Sequence, residues 1–417
     1  MTTDLFPKTC ELISRSPFAQ ELTDFSEWLL AEHYTPTVVH HHLLRLVQAL
    51  PRLPQQNEVP NVYSLTDLKT AFDVGSGPPT RINYFLAARR VYKRFLQAHG
   101  RLFEAQSNDP FDTLQREYSD YLSEVRGLSI SARTHNTHTV AGFLSRGLKP
   151  HQMLSTITQQ NIERFIVLRS REVSRHTLQH DVAHLRSFLR YCHGRGYLAS
   201  RLDTDIETPR TYRGELPPRA LPWGTVQALL RSIDRQSKSG WRDYCILHLI
   251  AHYGLRPSEV VSLRLDSIDW ENAVLHVKQH KTRSELLLPL APSTLQALRD
   301  YLTHERYQHG STHPDLFLRA RCPSGPLFHW AICNIFNKRI KAVKFEGRTY
   351  SPYSLRHAFA MRLLSRGVGV KAIGDVLGHR RLESTCTYLR LDIEALRVVA
   401  LNVPDASVCE GGGHVDA

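Results

Sequence analysis

No Cys-X-X-Cys pair occurs among the seven cysteines, which stand apart at Cys10, Cys192, Cys245, Cys322, Cys333, Cys386 and Cys409. An odd, dispersed set argues against a disulfide framework and a zinc module, and for a reducing compartment. No apolar run approaches the ~18 residues of a membrane span, so no membrane partner is expected. The first residues, MTTDLFPKTCELISRS, lack the basic start and apolar block of a secretory signal. The expected location is therefore cytoplasmic. A GxxxxGKS/T loop is missing, as is any carboxylate cluster at metal-ligand spacing, and no metal or other cofactor is expected. Acidic residues are also short: 40 Asp and Glu face 53 Lys and Arg, an excess of 13 positive charges. That balance favours a polyanionic partner, nucleic acid first.

What is present is enough apolar sequence, 41% of 417 residues, for two or three ordinary domains. Segment 20–103 carries helical periodicity in FSEWLLAEHYTPTVVHHHLLRLVQAL and TRINYFLAARRVYKRFLQAHG, with breakers between them. Segment 111–200 follows a similar plan. YSDYL parallels FSEWL, TITQQNIERFI parallels SLTDLKTAF, and HDVAHLRSFLRYCHGRGYL parallels NYFLAARRVYKRFLQAHGRL. The offset suggests two copies of one helical unit, although helices of like amphipathicity can imitate a repeat. The His40–His42 run is read as solvated or DNA-facing, because consecutive helical residues point in different directions. Residues 206–222, rich in Pro and Arg, read as an extended linker. From there to about 403 the pattern is mixed α/β, with VLHVK and ELLLPL as two strands joined around QHKTRS. The tail 404–417, with its GGG, is expected to be disordered. The fold class is thus mainly α with a small β-sheet. Its expected domains are 1–105, 111–205 and 223–403.

Four segments of the last region carry candidate chemistry. HYGLRPSEVV places Arg256 after a Gly turn and at a helix start, where a guanidinium beside free backbone amides suits a phosphate oxygen. VKQHKTRSELLLPL puts Lys281 at a hairpin tip. SPYSLRHAF contains Arg356, and LGHRRLESTCTY contains His379 and, nine residues later, Tyr388. Each residue alone has an ordinary structural reading: surface Arg, turn Lys, helix-end His, half-buried Tyr. Their joint order suggests a site that holds a phosphate and attacks it with a phenol.

The four segments resemble the active-site boxes of the tyrosine recombinase (phage integrase) family over about 220–400. The unit at 111–205 resembles that family's helical core-binding domain. The resemblance implies that Tyr388 is the nucleophile forming a 3′-phosphotyrosine, and that Arg256 and Arg356 clamp the non-bridging oxygens. It implies Lys281 as the proton donor to the departing 5′ oxygen, His379 as a phosphate hydrogen-bond partner, and Glu259 as the carboxylate that buttresses Arg256. Lys278 is the rival for the lysine role, and Lys281 is preferred. One position departs from the family pattern: Tyr353 stands where HxLRH has its first His. A Tyr hydroxyl can exchange hydrogen bonds but is no base at neutral pH. Tyr353 is favoured as the phosphate donor over His357, which a helix would turn roughly 100° from Arg356 and which is given a supporting role.

The resemblance further implies double-stranded DNA at specific sites as partner, bound by helices at 132–146 and 174–191. It also implies assembly as a tetramer on DNA, in which the amphipathic stretch after Tyr388 docks on a neighbouring subunit. Residues 1–105 exceed the two-domain minimum; flanking DNA and companion recombinases are the candidate partners. The leading reading is a site-specific recombinase that integrates, excises or transposes a mobile element. Two others stay open: a DNA-binding accessory without cleavage activity, and a type IB-like topoisomerase.

Overall fold

A computed structural model of the chain describes residues 6–54, 61–103, 110–148, 153–211, 219–279, 284–307, 313–320, 325–343 and 350–389. The chain divides into two compact units, residues 48–215 and residues 1–47 together with 216–417. Helices come first: α1 (Pro7–Ser14), α2 (Ala19–Ala31), α3 (Pro36–Ala49), α4 (Leu65–Ala71) and α5 (Pro79–Ala98), with the short parallel strands β1 (Tyr63–Ser64) and β2 (Leu102–Phe103) flanking α4 and α5. Next come α6 (Pro110–Glu124), α7 (Ile130–Arg146), α8 (Gln159–Ser170) and α9 (Arg175–Gly194).

The order α2 to α5 has the same plan as α6 to α9, down to local detail. A ring pair three residues apart stacks in each first helix, Phe25–Trp28 at 6.2 Å and Tyr118–Tyr121 at 6.3 Å. Each third helix begins with a side chain that reaches back to its cap. Asp67 Oδ2 accepts from Ser64 N at 2.8 Å, and Asn161 Oδ1 accepts from Thr158 N at 3.0 Å. Each fourth helix has 20 residues and is followed by a left-handed glycine, Gly100 or Gly196.

The α6–α9 bundle closes on Tyr118, Leu122, Phe143, Phe165, Leu185 and Phe188. Each such side chain contributes roughly 1.5–3 kcal/mol of burial. Thr139 donates to Asp181 at 3.0 Å, and Arg169 Nε meets the other carboxylate oxygen at 2.8 Å, which ties α7 and α8 to α9. The stretch expected as linker does not leave this unit at 206. Ile206 is buried in the core, Gln179 donates to Pro209 O at 3.4 Å, and Thr211 donates to Gln179 Oε1 at 3.0 Å. An apolar side chain inside a Pro-rich run is enough to hold it down.

The solvated reading of the histidine run needs correcting. Only His41 is exposed; His40 Nδ1 meets Thr9 Oγ1 at 2.9 Å, and His42 sits edge-on to Tyr34. Burial pushes the His42 pKa down to about 4. Consecutive helical residues do diverge, but here two of the three directions lead into packed protein.

The remaining elements are α10 (Trp223–Arg231), α11 (Gly240–Tyr253), α12 (Pro257–Val261), β3 (Ile268–Asp269), β4 (Val274–Gln279), β5 (Ser284–Pro289), α13 (Pro292–Tyr301), α14 (His329–Ala342), α15 (Tyr353–Leu364), α16 (Val370–Leu377) and α17 (Glu383–Cys386). The strands form one antiparallel sheet in the order β3-β4-β5, with Leu275 opposite Leu288 and Val277 opposite Leu286. Helix α11 is apolar on nearly every side because it is the centre: Cys245, Ile246, Leu247, Leu249 and Ile250 are all buried. It packs against α13, α14 and α15. Near its start a buried Asp243 is clamped by Arg242 at 2.8 Å and by Arg339 of α14 at 2.6 Å. Among the described residues no helix is long and apolar enough to cross a membrane. The segment after Tyr388 that reads as a docking helix lies outside the described residues, as does the tail 404–417.

Candidate active site

Two helix ends make the site. Helix α11 stops at Gly254, in the left-handed conformation at φ 64°. A Cβ there would come within 2.6 Å of Phe359 and 2.7 Å of Leu377. Glycine therefore both turns the chain and lets it pass close to α15 and α16. Three residues later Pro257 opens α12, and Arg256 is its cap. Helix α16 ends the same way at Gly378, φ 63°, which swings His379 back over α16. His379 N then donates to Gly374 O at 2.9 Å.

The carbonyls exposed at these two ends accept from the arginines. Arg356, on α15 and almost fully buried, donates through Nη1 to Gly254 O and through Nη2 to Leu377 O at 2.7 Å. Arg256 Nη2 donates to Gly378 O at 3.4 Å. Helix C-termini carry partial negative charge, which suits a guanidinium. Glu259 completes the arrangement: its Oε1 lies 2.5 Å from Arg256 Nη1, its Oε2 accepts from Arg256 N at 2.8 Å, and Oε2 is 4.0 Å from Arg356 Nη1. Burial, then the Arg256 charge, lowers the Arg356 pKa to about 10, so it stays cationic at neutral pH. Two guanidiniums thus face one buried carboxylate. The surplus of one positive charge matches one phosphodiester.

His379 is fixed from both sides. Its Nε2 is 3.1 Å from Arg356 Nη2, and its Nδ1 is 2.8 Å from Thr385 Oγ1. An arginine can only donate, so Nε2 is the acceptor and the ring proton sits on Nδ1, donated to Thr385. Burial first, then the Arg356 charge, pushes the His379 pKa down to about 4, which keeps the ring neutral. In this arrangement His379 holds Arg356 in place.

Tyr388, just past α17, is buried with Ala360, Ile373 and Leu377. Burial raises its pKa, against the pull of Arg356 and Arg256. The two guanidiniums favour phenolate, and desolvation outweighs them. Its hydroxyl lies 3.0 Å from His357 Nδ1. His357, expected only in a supporting role, thus meets the Tyr388 hydroxyl directly. The 100° turn from Arg356 holds, but the chain after α16 crosses α15 on the His357 side. Tyr353, at the first turn of α15, is 47% exposed.

Lys281 lies outside the described residues. The base of its hairpin is described: Gln279 pairs with Ser284, and Gln279 packs so close to Gly378 that a Cβ there would clash with it. Lys278 is exposed on β4, opposite Glu285. Thr385 and the two capping glycines do much to fix the site; the sequence pattern marks Gly254 as a turn before Arg256 and gives Gly378 and Thr385 no role. The Gly-Leu-Arg and Leu-Gly-His steps are sequence signals for the glycines. Thr385, a polar residue six positions after a histidine, carries none.

Residues 221–394 match the Phage integrase family. The putative integrase/recombinase y4rA of Sinorhizobium fredii is 31% identical over 289 residues, covering 69% of this chain and 70% of that protein. The tyrosine recombinase XerC of Chlamydia caviae is 26% identical over 244 residues, covering 58% and 76%. Among solved structures, a lambda integrase tetramer bound to a Holliday junction shares the fold with a TM-score of 0.53. It is 17% identical and covers 80% of this chain and 96% of that one.

Proposed function

Since this chain belongs to the phage integrase family of tyrosine recombinases, we propose that it cleaves and rejoins double-stranded DNA at specific sites through a 3′-phosphotyrosyl intermediate. The observation that carries the reading is a buried phenol beside two guanidiniums that share one carboxylate. That charge set leaves room for a single phosphodiester.

Arg256 and Arg356 bind the non-bridging oxygens and stabilise the charge that grows as the phosphorus becomes five-coordinate. Their amine edges are already oriented by Glu259 and by helix-end carbonyls, so little reorganisation accompanies the reaction. Tyr388 Oη attacks the phosphorus, and the bond to the 5′ oxygen breaks. The departing oxygen takes a proton from Lys281. His379 keeps Arg356 aligned, and the Tyr353 hydroxyl adds a hydrogen bond to the phosphate. The phosphotyrosine preserves the bond energy, so a second 5′-hydroxyl can displace Tyr388 and join a new strand. No step calls on a metal or on ATP.

We extend the assembly seen for lambda integrase, a tetramer on a Holliday junction, to this chain. The y4rA likeness and the extra helical region before residue 105 favour a mobile-element integrase or transposase. DNA carrying a nick near the cleavage point traps the covalent stage, because the short 5′ fragment diffuses away. The protein is expected to form a covalent adduct on such DNA, and Tyr388→Phe to form none. Absence of adduct with the unaltered protein, on DNA it binds, would favour the accessory reading instead.

A further inference from the structure

Tyr388 must lose a proton when it attacks, and burial holds that proton on the phenol. We infer that His357, through Nδ1, is the base that takes it. This rests on the strand-transfer reading above and adds the proton acceptor that reading leaves unassigned.

The geometry selects His357 among the described groups around the phenol. His379 has Nε2 committed to Arg356 and Nδ1 to Thr385, so accepting a proton would cost it Arg356. Glu259 is held by Arg256 through both oxygens. Tyr353 is half-exposed at the start of α15, and a tyrosine hydroxyl is no base at neutral pH. His357 Nδ1 is 3.0 Å from the Tyr388 hydroxyl, within reach for direct transfer, with ring centroids 5.6 Å apart.

Charge makes the transfer conditional on DNA. Without substrate, burial and then the Arg356 charge push the His357 pKa down to about 4. The ring is therefore neutral and ready to accept, but a weak base. Among the described residues, the charged groups that face this pair are Arg356 and Arg256, together with Glu259 behind them. A phosphodiester seated on the arginines offsets their field and makes an imidazolium easier to form. At the same time the phenol oxygen gains acidity as its bond to phosphorus forms. The step balances. The Tyr388 O–H bond breaks and its proton moves to Nδ1, the Tyr388 oxygen–phosphorus bond forms, and the phosphorus–5′ oxygen bond breaks. Lys281 supplies the proton to the leaving oxygen. In rejoining, the imidazolium returns its proton to the departing phenol.

The test is single-turnover adduct formation on nicked DNA by the full chain and by His357→Gln, with DNA binding measured separately. His357→Gln is expected to bind DNA as the parent does and to cleave roughly 100-fold more slowly at about pH 7. Its rate should then climb about tenfold per pH unit, since only pre-formed phenolate attacks, while the parent stays nearly flat. A substrate with sulfur in place of the 5′ bridging oxygen leaves without a proton. It should restore Lys281→Ala but not His357→Gln. Equal rates for parent and variant, or a loss that is the same at every pH, would overturn the proposal. No adduct from the parent would instead overturn the strand-transfer reading itself.

Discussion

Glu259 shows how much one side chain decides. It is buried, it is the carboxylate that faces both Arg256 and Arg356, and it also caps α12 by accepting from Arg256 N. Replacing it with glutamine keeps the shape and leaves the buried Arg356 and the partly buried Arg256 without their counter-charge. Glu259→Gln is expected to lower the unfolding free energy by about 3 kcal/mol, the scale for breaking a buried ion pair. Urea unfolding in the absence of DNA reads this directly, and an unchanged midpoint contradicts it. At this scale much of the site is legible in the sequence. The glutamate three residues after Arg256 and the order Arg, Arg, His, Tyr can be read from the chain alone. The partner of Tyr388 cannot. A helical wheel gives the direction of His357 relative to Arg356, but not which later segment crosses above it.

Helix ends and one hairpin base bring these residues together. The left-handed caps Gly254 and Gly378 present carbonyls to the arginines and let α11, α15, α16 and β4 approach without a Cβ between them. An alanine at Gly378 would sit at φ 63° and collide with Gln279. Gly378→Ala should therefore cost at least about 1 kcal/mol for the backbone alone, with more from the clash. It should also slow cleavage by shifting His379 and the carbonyl that Arg256 uses. Chemical denaturation of the variant that matched the parent would refute this. The strands and the long helices of this region follow from alternation and helical periodicity. The start of the linker does not, because Ile206 is one apolar residue in a Pro- and Arg-rich run and only its burial in the α6–α9 core makes it part of that unit.

For the whole molecule, several buried histidines set the response to acid. Burial is the first cause lowering His42, His357 and His379 to about 4, and His248 to about 3. Unfolded, each would bind a proton near pH 6.5. Between about pH 6.5 and 4 the unfolded chain therefore holds more protons than the folded one, and stability falls as pH falls. Unfolding midpoints should drop across that window. His248→Asn, away from the active site, should flatten the slope, and a slope unaffected by it contradicts the assignment. The twofold plan of α2–α5 and α6–α9 also belongs to this scale. Short sequence parallels point to it, and the matching ring pairs, caps and final glycines give it physical content.

The central claim is that the Tyr388 oxygen becomes covalently joined to a DNA 3′-phosphate. Protease digestion of the adduct trapped on nicked DNA, followed by mass spectrometry of the peptide that retains nucleotide, locates the bond. The account predicts nucleotide attached through a 3′-phosphate to the peptide carrying Tyr388. Nucleotide on any other residue, or a 5′-phosphate linkage, would contradict it.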